Sequence, residues 1–386
     1  MKKNKKTILS ILLSTLSFNS FADSFQLQQY VNLFAIKEAV QEVVNTASDI
    51  SCGSAHCYAI INGTIWSVGS NSKGQLGTRA ASTVTSNVWV NTGFTADKVS
   101  AGANFGYAMK NGYLYVVGDN TSGQYGIDAV SLNSWFNTGK KVADIAAGGN
   151  FGYYIGTDGY AYSSGNNSFG QLARAGADYT HWQRSNFRPD YIVCSYHHAY
   201  ALSGGLVYSA GENTYGQLAV GNTNTSGNMW RTTGLAATAI GTALFSGYAI
   251  GTDGNLMVVG SNGSGELGLG TSNSYYTTWT NTGIKPSGIT RSLNSTGYII
   301  KNQSLYASGL NNYGQIGNGT TTNTTNFVYT GILATKAGIG MNSATAINDQ
   351  GMFSTGLNSS GQLALGDNTN RSSWAKVTSP FDNQSN

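Results

Sequence analysis

The chain has 386 residues, of which 51 are glycine and 10% are charged, against about 25% charged in an ordinary soluble domain. Its formal charge of +4 includes Lys2, Lys3, Lys5 and Lys6, and without them the balance is 17 basic against 17 acidic residues. That excludes a broadly basic surface of the kind that neutralises nucleic-acid phosphates, and Asn, Ser and Thr are left to supply much of the polar surface.

The first 22 residues have the form of an export signal: the four lysines, an apolar stretch from Ile8 to Phe18, and small residues around Ser20-Phe21-Ala22. An exported protein is expected, secreted, cell-surface or periplasmic. No later apolar run reaches the roughly 20 residues that cross a bilayer as a helix, so no transmembrane anchor is expected. Residues 23–47 carry Leu27, Tyr30, Val31, Phe34, Ala35, Ala39, Val40, Val43 and Val44. This spacing predicts an amphipathic helix that packs internally or docks a partner.

From residue 48 to 379 the chain repeats itself. One phrase returns at Gly69 (GSNSKGQLG), Gly118 (GDNTSGQYG), Gly165 (GNNSFGQLA), Gly211 (GENTYGQLA), Gly260 (GSNGSGELG), Gly309 (GLNNYGQIG) and Gly356 (GLNSSGQLA), with its second glycines 46 to 49 residues apart. A short strand such as Gly63-Thr-Ile-Trp-Ser-Val-Gly69 precedes each phrase. Upstream lies another, usually Tyr-Ala-apolar, as in Tyr58-Ala59-Ile60 and Tyr200-Ala201-Leu202. Between phrases stands one aromatic residue per repeat, Trp89, Trp135, Trp182, Trp230, Trp279, Phe327 and Trp374, expected to pack between sheets. Short strands and Gly-rich turns at this period predict a radial array of four-stranded blades. The seventh phrase is followed by Ser372-Ser-Trp-Ala-Lys-Val377, which is expected to complete the first blade and close the ring, leaving 380–386 as a tail.

These seven Gly-x-Asn-x-x-Gly-Gln-Leu-Gly-like turns resemble the RCC1-repeat superfamily. The resemblance, over residues 48–379, implies an all-β, seven-bladed β-propeller, to which the spacing in residues 23–47 adds a short N-terminal amphipathic helix. It implies no single function: family members include a chromatin-bound exchange factor for a small GTPase and secreted bacterial inhibitors of β-lactamases.

Departures from the repeat mark candidate sites. The fourth unit places Cys194, His197 and His198 where the third has the Gly-rich stretch Ala146 to Tyr153. Adjacent side chains on a strand point to opposite faces, so the reading is packing or surface variation; a metal site or a thiol nucleophile is the minor alternative. Cys52 and Cys57 are a candidate disulfide, or two free thiols. The variable connections 77–88, 126–134, 173–181, 219–229, 268–278, 317–326 and 364–373 form one candidate recognition face. Tyr275 and Tyr276, with Tyr179, His181, Arg184 and Arg188, are its candidate contacts. The sequence carries no P-loop, nucleophile elbow or EF-hand, and no catalytic residue, cofactor or metal ligand is assigned. The expectation is a non-enzymatic binding module for an extracellular, envelope or appendage protein, or for a glycan, with an adhesive role as its specific form. A β-lactamase-inhibitor-like protein and an enzyme with an unrecognised site on a propeller face are the alternatives.

Overall fold

In the computed structural model, residues 47–80, 85–176, 179–225 and 227–377 are described. The expected export segment, the expected helix except for Ala47, and the tail 380–386 lie outside them. What is described is an all-β, multi-bladed propeller. The first sheet pairs Asp49–Cys52, His56–Ile61, Thr64–Gly69 and Ser86–Thr95, antiparallel and in chain order. Every residue of His56–Ile61 is buried, while Ser86–Thr95 has exposed residues along its length. Burial is complete in the second strand, alternates in Asp49–Cys52 and is lowest at the rim, as expected where the second strand is covered on both faces and the outer one is an edge.

The same four-strand order returns in Gly288–Ile289, Thr296–Lys301, Ser304–Gly309 and Thr324–Leu333, and in Lys336–Ile339, Ser343–Asn348, Gly351–Gly356 and Arg371–Lys376. Two further sheets have seven strands each. They arise because Leu132–Ala147 and Arg231–Ala243 each run on from the rim of one unit to the inner strand of the next.

Closure of the ring differs from the sequence expectation. Arg371–Lys376 pairs with Gly351–Gly356 inside the last sheet, and the first sheet has its own Trp-bearing strand, Ser86–Thr95. Among the described residues no strand crosses from tail to head. The ends meet by packing instead: Ile50, Cys52, Val68 and Trp89 share one core cluster with Ile347, Met352, Ala364 and Val377. The Gly366 amide also donates to the Asn87 carbonyl at 2.9 Å.

The recurring residues are explained by this sheet-on-sheet contact. In each phrase the Asn side-chain oxygen accepts from the amide five residues on, as Asn71 does from Leu76 and Asn358 from Leu363, both at 2.9 Å. The second glycine has positive φ, 79° at Gly74 and 75° at Gly361, a conformation that costs a side-chain-bearing residue about 1–2 kcal/mol. The strand tyrosine donates its hydroxyl to the carbonyl of the phrase, Tyr153 to Gln171 and Tyr298 to Gln315 at 2.8 Å. Its ring leans on the next unit, where glycine makes room: a methyl group at Gly106 would lie 2.7 Å from Tyr58 Cε2. The repeat aromatics close the same seam, Tyr58 against Trp135 at 5.4 Å and Tyr153 against Trp230 at 5.4 Å between ring centroids. Cys52 and Cys57 face each other across the first hairpin and are joined by a disulfide.

Candidate functional site

Antiparallel strands give each unit two ends. The loops that follow the inner strands lie beside the glycine phrases: the Asp119 amide donates to the Asn104 carbonyl at 2.9 Å, and that of Glu212 to the His197 carbonyl at 3.0 Å. We call this the turn end. The first residues of the inner strands lie at the opposite end, the mouth.

At the turn end a run of partly exposed rings crosses the third to fifth units. Phe169 packs on His197 with 4.8 Å between centroids, and His197 meets Tyr196 edge-on at 4.9 Å. His197 Nδ1 lies 3.0 Å from Glu212 Oε2. Burial alone would raise the Glu212 carboxyl, but hydrogen bonds from His197 and Thr214 hold it below its ordinary range. Glu212 shares its phrase with Tyr215, whose ring lies 5.2 Å from that of Phe245 and is 37% exposed. Thus an ionisable pair sits among aromatic surfaces that keep a wet side, an arrangement suited to recognition.

At the mouth the inner strands surround a cavity of about 360 Å³. Asp49, Lys98, Tyr191 and Lys336 stand around its rim, with Arg291 deeper inside. Lys98 forms an ion pair with Asp144 and lies over the Tyr191 ring, 5.6 Å from its centroid. Burial raises the Asp49 carboxyl, opposed by the Val99 amide at 3.1 Å and by the charges of Lys336 and Lys98.

The structure separates the residues singled out in the sequence. The strand Tyr179–Arg184 pairs Tyr179 with Gly165 but Arg184 with Tyr162. Tyr179 and His181 therefore begin at the turn end, whereas Arg184 and the following Arg188 lie towards the mouth end. His181 Nε2 is 3.1 Å from Asp128 Oδ2. Arg184 and Arg188 both cover the Tyr160 ring, their guanidinium carbons 4.4 and 3.9 Å from its centroid. Arg188 lowers the Tyr160 hydroxyl from its ordinary range by a hydrogen bond and by its charge. Tyr275 and Tyr276 open Tyr275–Asn281, opposite Ser261 and Gly260, and so share the turn end with Tyr179 and His181. Tyr275 is exposed, while Tyr276 packs against the core.

Cys194 and His198 are both buried. Burial raises the thiol to about 12 and lowers the imidazole to about 4, which leaves a protonated thiol and a neutral ring at neutral pH, a poor pairing for nucleophilic chemistry. Among the described residues no group of three His, Cys, Asp or Glu side chains is arranged to hold a metal ion.

Sequence reasoning passed over Phe169, Tyr196, Tyr215 and Phe245 at the turn end, and Tyr160 and Arg291 at the mouth end. A signal was present. The position before the second glycine of the phrase reads Lys73, Ser122, Phe169, Tyr215, Ser264, Tyr313 and Ser360, so aromatic residues cluster there in neighbouring units. Counting back seven residues from the strand tyrosine, or from Thr345 in the last unit, gives Ser51, Ser100, Ala146, Val193, Gly241, Arg291 and Gly338, with Arg291 alone in being long and charged.

The sequence model of the Regulator of chromosome condensation (RCC1) repeat matches residues 142–171. Solved structures extend the likeness of fold over most of the chain. Human WBSCR16 is 17% identical with a TM-score of 0.70, over 82% of this chain and 94% of that one. Prp20p from Saccharomyces cerevisiae is 18% identical with a TM-score of 0.66, over 79% and 81%. The crystal structure of Kap60 bound to yeast RCC1 (Prp20) matches at 15% identity and a TM-score of 0.71, over 89% and 86%. No curated protein sequence matches the chain.

Proposed function

On an RCC1-like propeller that carries a matching RCC1 repeat, we propose that this chain is a binding module that takes a protein partner at its turn end. The observation that carries the reading is the run Phe169, His197, Tyr196, Tyr215 and Phe245, gathered from three units with Glu212 among them. Aromatic side chains with a polar tip supply contact area at a small loss of side-chain freedom, and they dominate the energetics of protein interfaces. The arrangement also sits on variable positions of a framework whose other residues are committed to packing. One propeller of this fold, yeast Prp20, is described with protein partners, Gsp1p and histones in one structure and Kap60 in another.

In its finer form the reading is a seven-bladed ring, exported by residues 1–22. Its partner is an extracellular, envelope or appendage protein, and residues 23–47 serve for attachment. Adhesion or assembly of a surface structure is the role we favour; inhibition of a β-lactamase is a separate outcome, tested by titrating such enzymes with the protein. The direct test uses the mature chain and its Phe169→Ala/Tyr215→Ala variant as baits for envelope and secreted proteins, identified by mass spectrometry, and applies both to a glycan array. A protein captured by the parent and lost by the folded variant supports the reading. Equal capture by both refutes the turn end as the site, and a signal confined to the array transfers the proposal to a glycan.

A further inference from the structure

The mouth cavity holds a cation with no anion of its own. Arg291 projects across the channel from the sixth unit, at a position where the other six units place Ser, Ala, Val or Gly. Its Nε donates to the Cys194 carbonyl at 2.7 Å and its Nη1 to the Ala101 carbonyl at 2.8 Å, so one side chain ties the fourth and second units together. Nη2 is buried and has no hydrogen-bond partner among the described residues. Burial lowers the guanidinium only to about 10, so it remains charged at neutral pH. The ionisable groups that interact with it are the Cys194 thiol and the Tyr191 hydroxyl, both pushed up by burial, and the His56 imidazole, which burial pushes down to about 3, so all three are neutral at pH 7. A half-buried cation whose inner nitrogen is shut off from water, faced by carbonyls and neutral groups, carries a desolvation cost that a counter-charge would offset.

We propose that the channel mouth binds a carboxylate, which approaches Arg291 through the cavity and supplies the missing negative charge. Lys98, Lys336 and Arg291 line the cavity with Asp49, and Asp144 neutralises Lys98 from outside the lining. Three cations against two carboxylates leave a single positive charge, which matches a monoanion. Asp49 and Asp144 stand near the entry and disfavour a phosphate dianion by like-charge repulsion, whereas a carboxylate brings the single negative charge that the site lacks. The cavity, at about 360 Å³, lies in the range of small-ligand sites and is open to one acidic group. The ligand is either a free monocarboxylate or a Glu or Asp side chain presented by another protein. The site is at the opposite end of the propeller from the aromatic run and stands or falls independently of it.

The test labels the arginines of the full chain with nitrogen-15 and follows their Nε–H signals during titration at low salt with butyrate, with butyramide, with inorganic phosphate and with the capped peptide acetyl-Gly-Glu-Gly-amide. The Arg291 signal is identified by its loss in Arg291→Gln, and independently by slow exchange with water behind the Cys194 carbonyl if that variant does not fold. A saturable shift with butyrate or with the peptide, little response to phosphate, none to butyramide, and at least tenfold weaker binding to folded R291Q are expected. Response to the peptide alone assigns the carboxylate to a partner protein, and response to butyrate alone to a free ligand. An unmoved Arg291 signal with both carboxylates, or an equal shift with butyramide, overturns the proposal.

Discussion

Acid should destabilise this propeller well above the range in which carboxylates titrate, and two histidines are responsible. His56 and His198 occupy equivalent positions two residues before Tyr58 and Tyr200, and both are buried. Burial lowers His56 to about 3, with the Phe105 backbone opposing and the Arg291 charge assisting. It lowers His198 to about 4, opposed by the Glu212 charge. Since the folded values lie below the unfolded value near 6.5, the unfolded chain binds more protons, and stability is lost as pH falls through 6.5. Between pH 7 and pH 5 each histidine removes about 2 kcal/mol, or about 4 kcal/mol together. The second and third units carry Phe105 and Phe151 at the same position, and Gly53 leaves room beside His56 as Gly102 and Gly148 do beside those rings, so the fold has a precedent for His56→Phe; His56→Phe/His198→Phe removes both titrating groups. Urea unfolding at pH 7, 6 and 5 should show the parent losing most of this amount and the double variant keeping it. Comparing the two slopes separates the histidines from Asp49, whose raised carboxyl acts in the opposite direction. Equal slopes for parent and variant would refute the reasoning.

Gly77→Ala should cost more than Gly93→Ala, although both glycines have positive φ, 66° and 68°. A methyl at Gly77 would lie 2.8 Å from Trp135 Nε1, while nothing lies within 4 Å of one at Gly93. Thermal or urea unfolding should give about 1 kcal/mol for Gly93→Ala, the left-handed backbone alone, and about 2–4 kcal/mol for Gly77→Ala; equal losses would contradict the seam described between units. Reducing the disulfide that joins Cys52 and Cys57, five residues apart, should lower stability by about 2 kcal/mol, as expected for a short closed loop. A urea midpoint that does not respond to reductant would contradict this.

The fold was legible because its determinants recur. A glycine at positive φ, an Asn that accepts from an amide five residues on, and an aromatic seam between units each leave the same mark in every copy. Closure was misread for a related reason. A periodic sequence can be cut at any phase, and beginning the unit before its Trp strand made Ser372–Val377 look like the missing piece of the first sheet. With the unit begun at Asp49, Trp89 falls on the fourth strand of the first sheet and Trp374 on that of the last, so no exchange is needed.

The candidate sites were less legible because they assemble across units. Phe169 and His197 lie 28 residues apart in the chain, and Arg291 reaches a carbonyl 190 residues away. Proximity in sequence also misled. Tyr179 and Arg188 are neighbours on the page, yet the strand Tyr179–Arg184 carries the chain from one end of the propeller towards the other. Arg291 stands out among the copies at a fixed distance from the strand tyrosine, and Phe169 and Tyr215 at a fixed distance from the second glycine of the phrase.

Recognition at the turn end is the central claim, and the affinity of a captured partner for two variants tests it most directly. By surface plasmon resonance, Phe169→Ala/Tyr215→Ala should weaken binding by at least tenfold, about 1.4 kcal/mol or more, while Arg184→Ala/Arg188→Ala should leave it within about twofold. The opposite pattern, with binding lost on removing the arginines and kept without the two rings, would contradict the account.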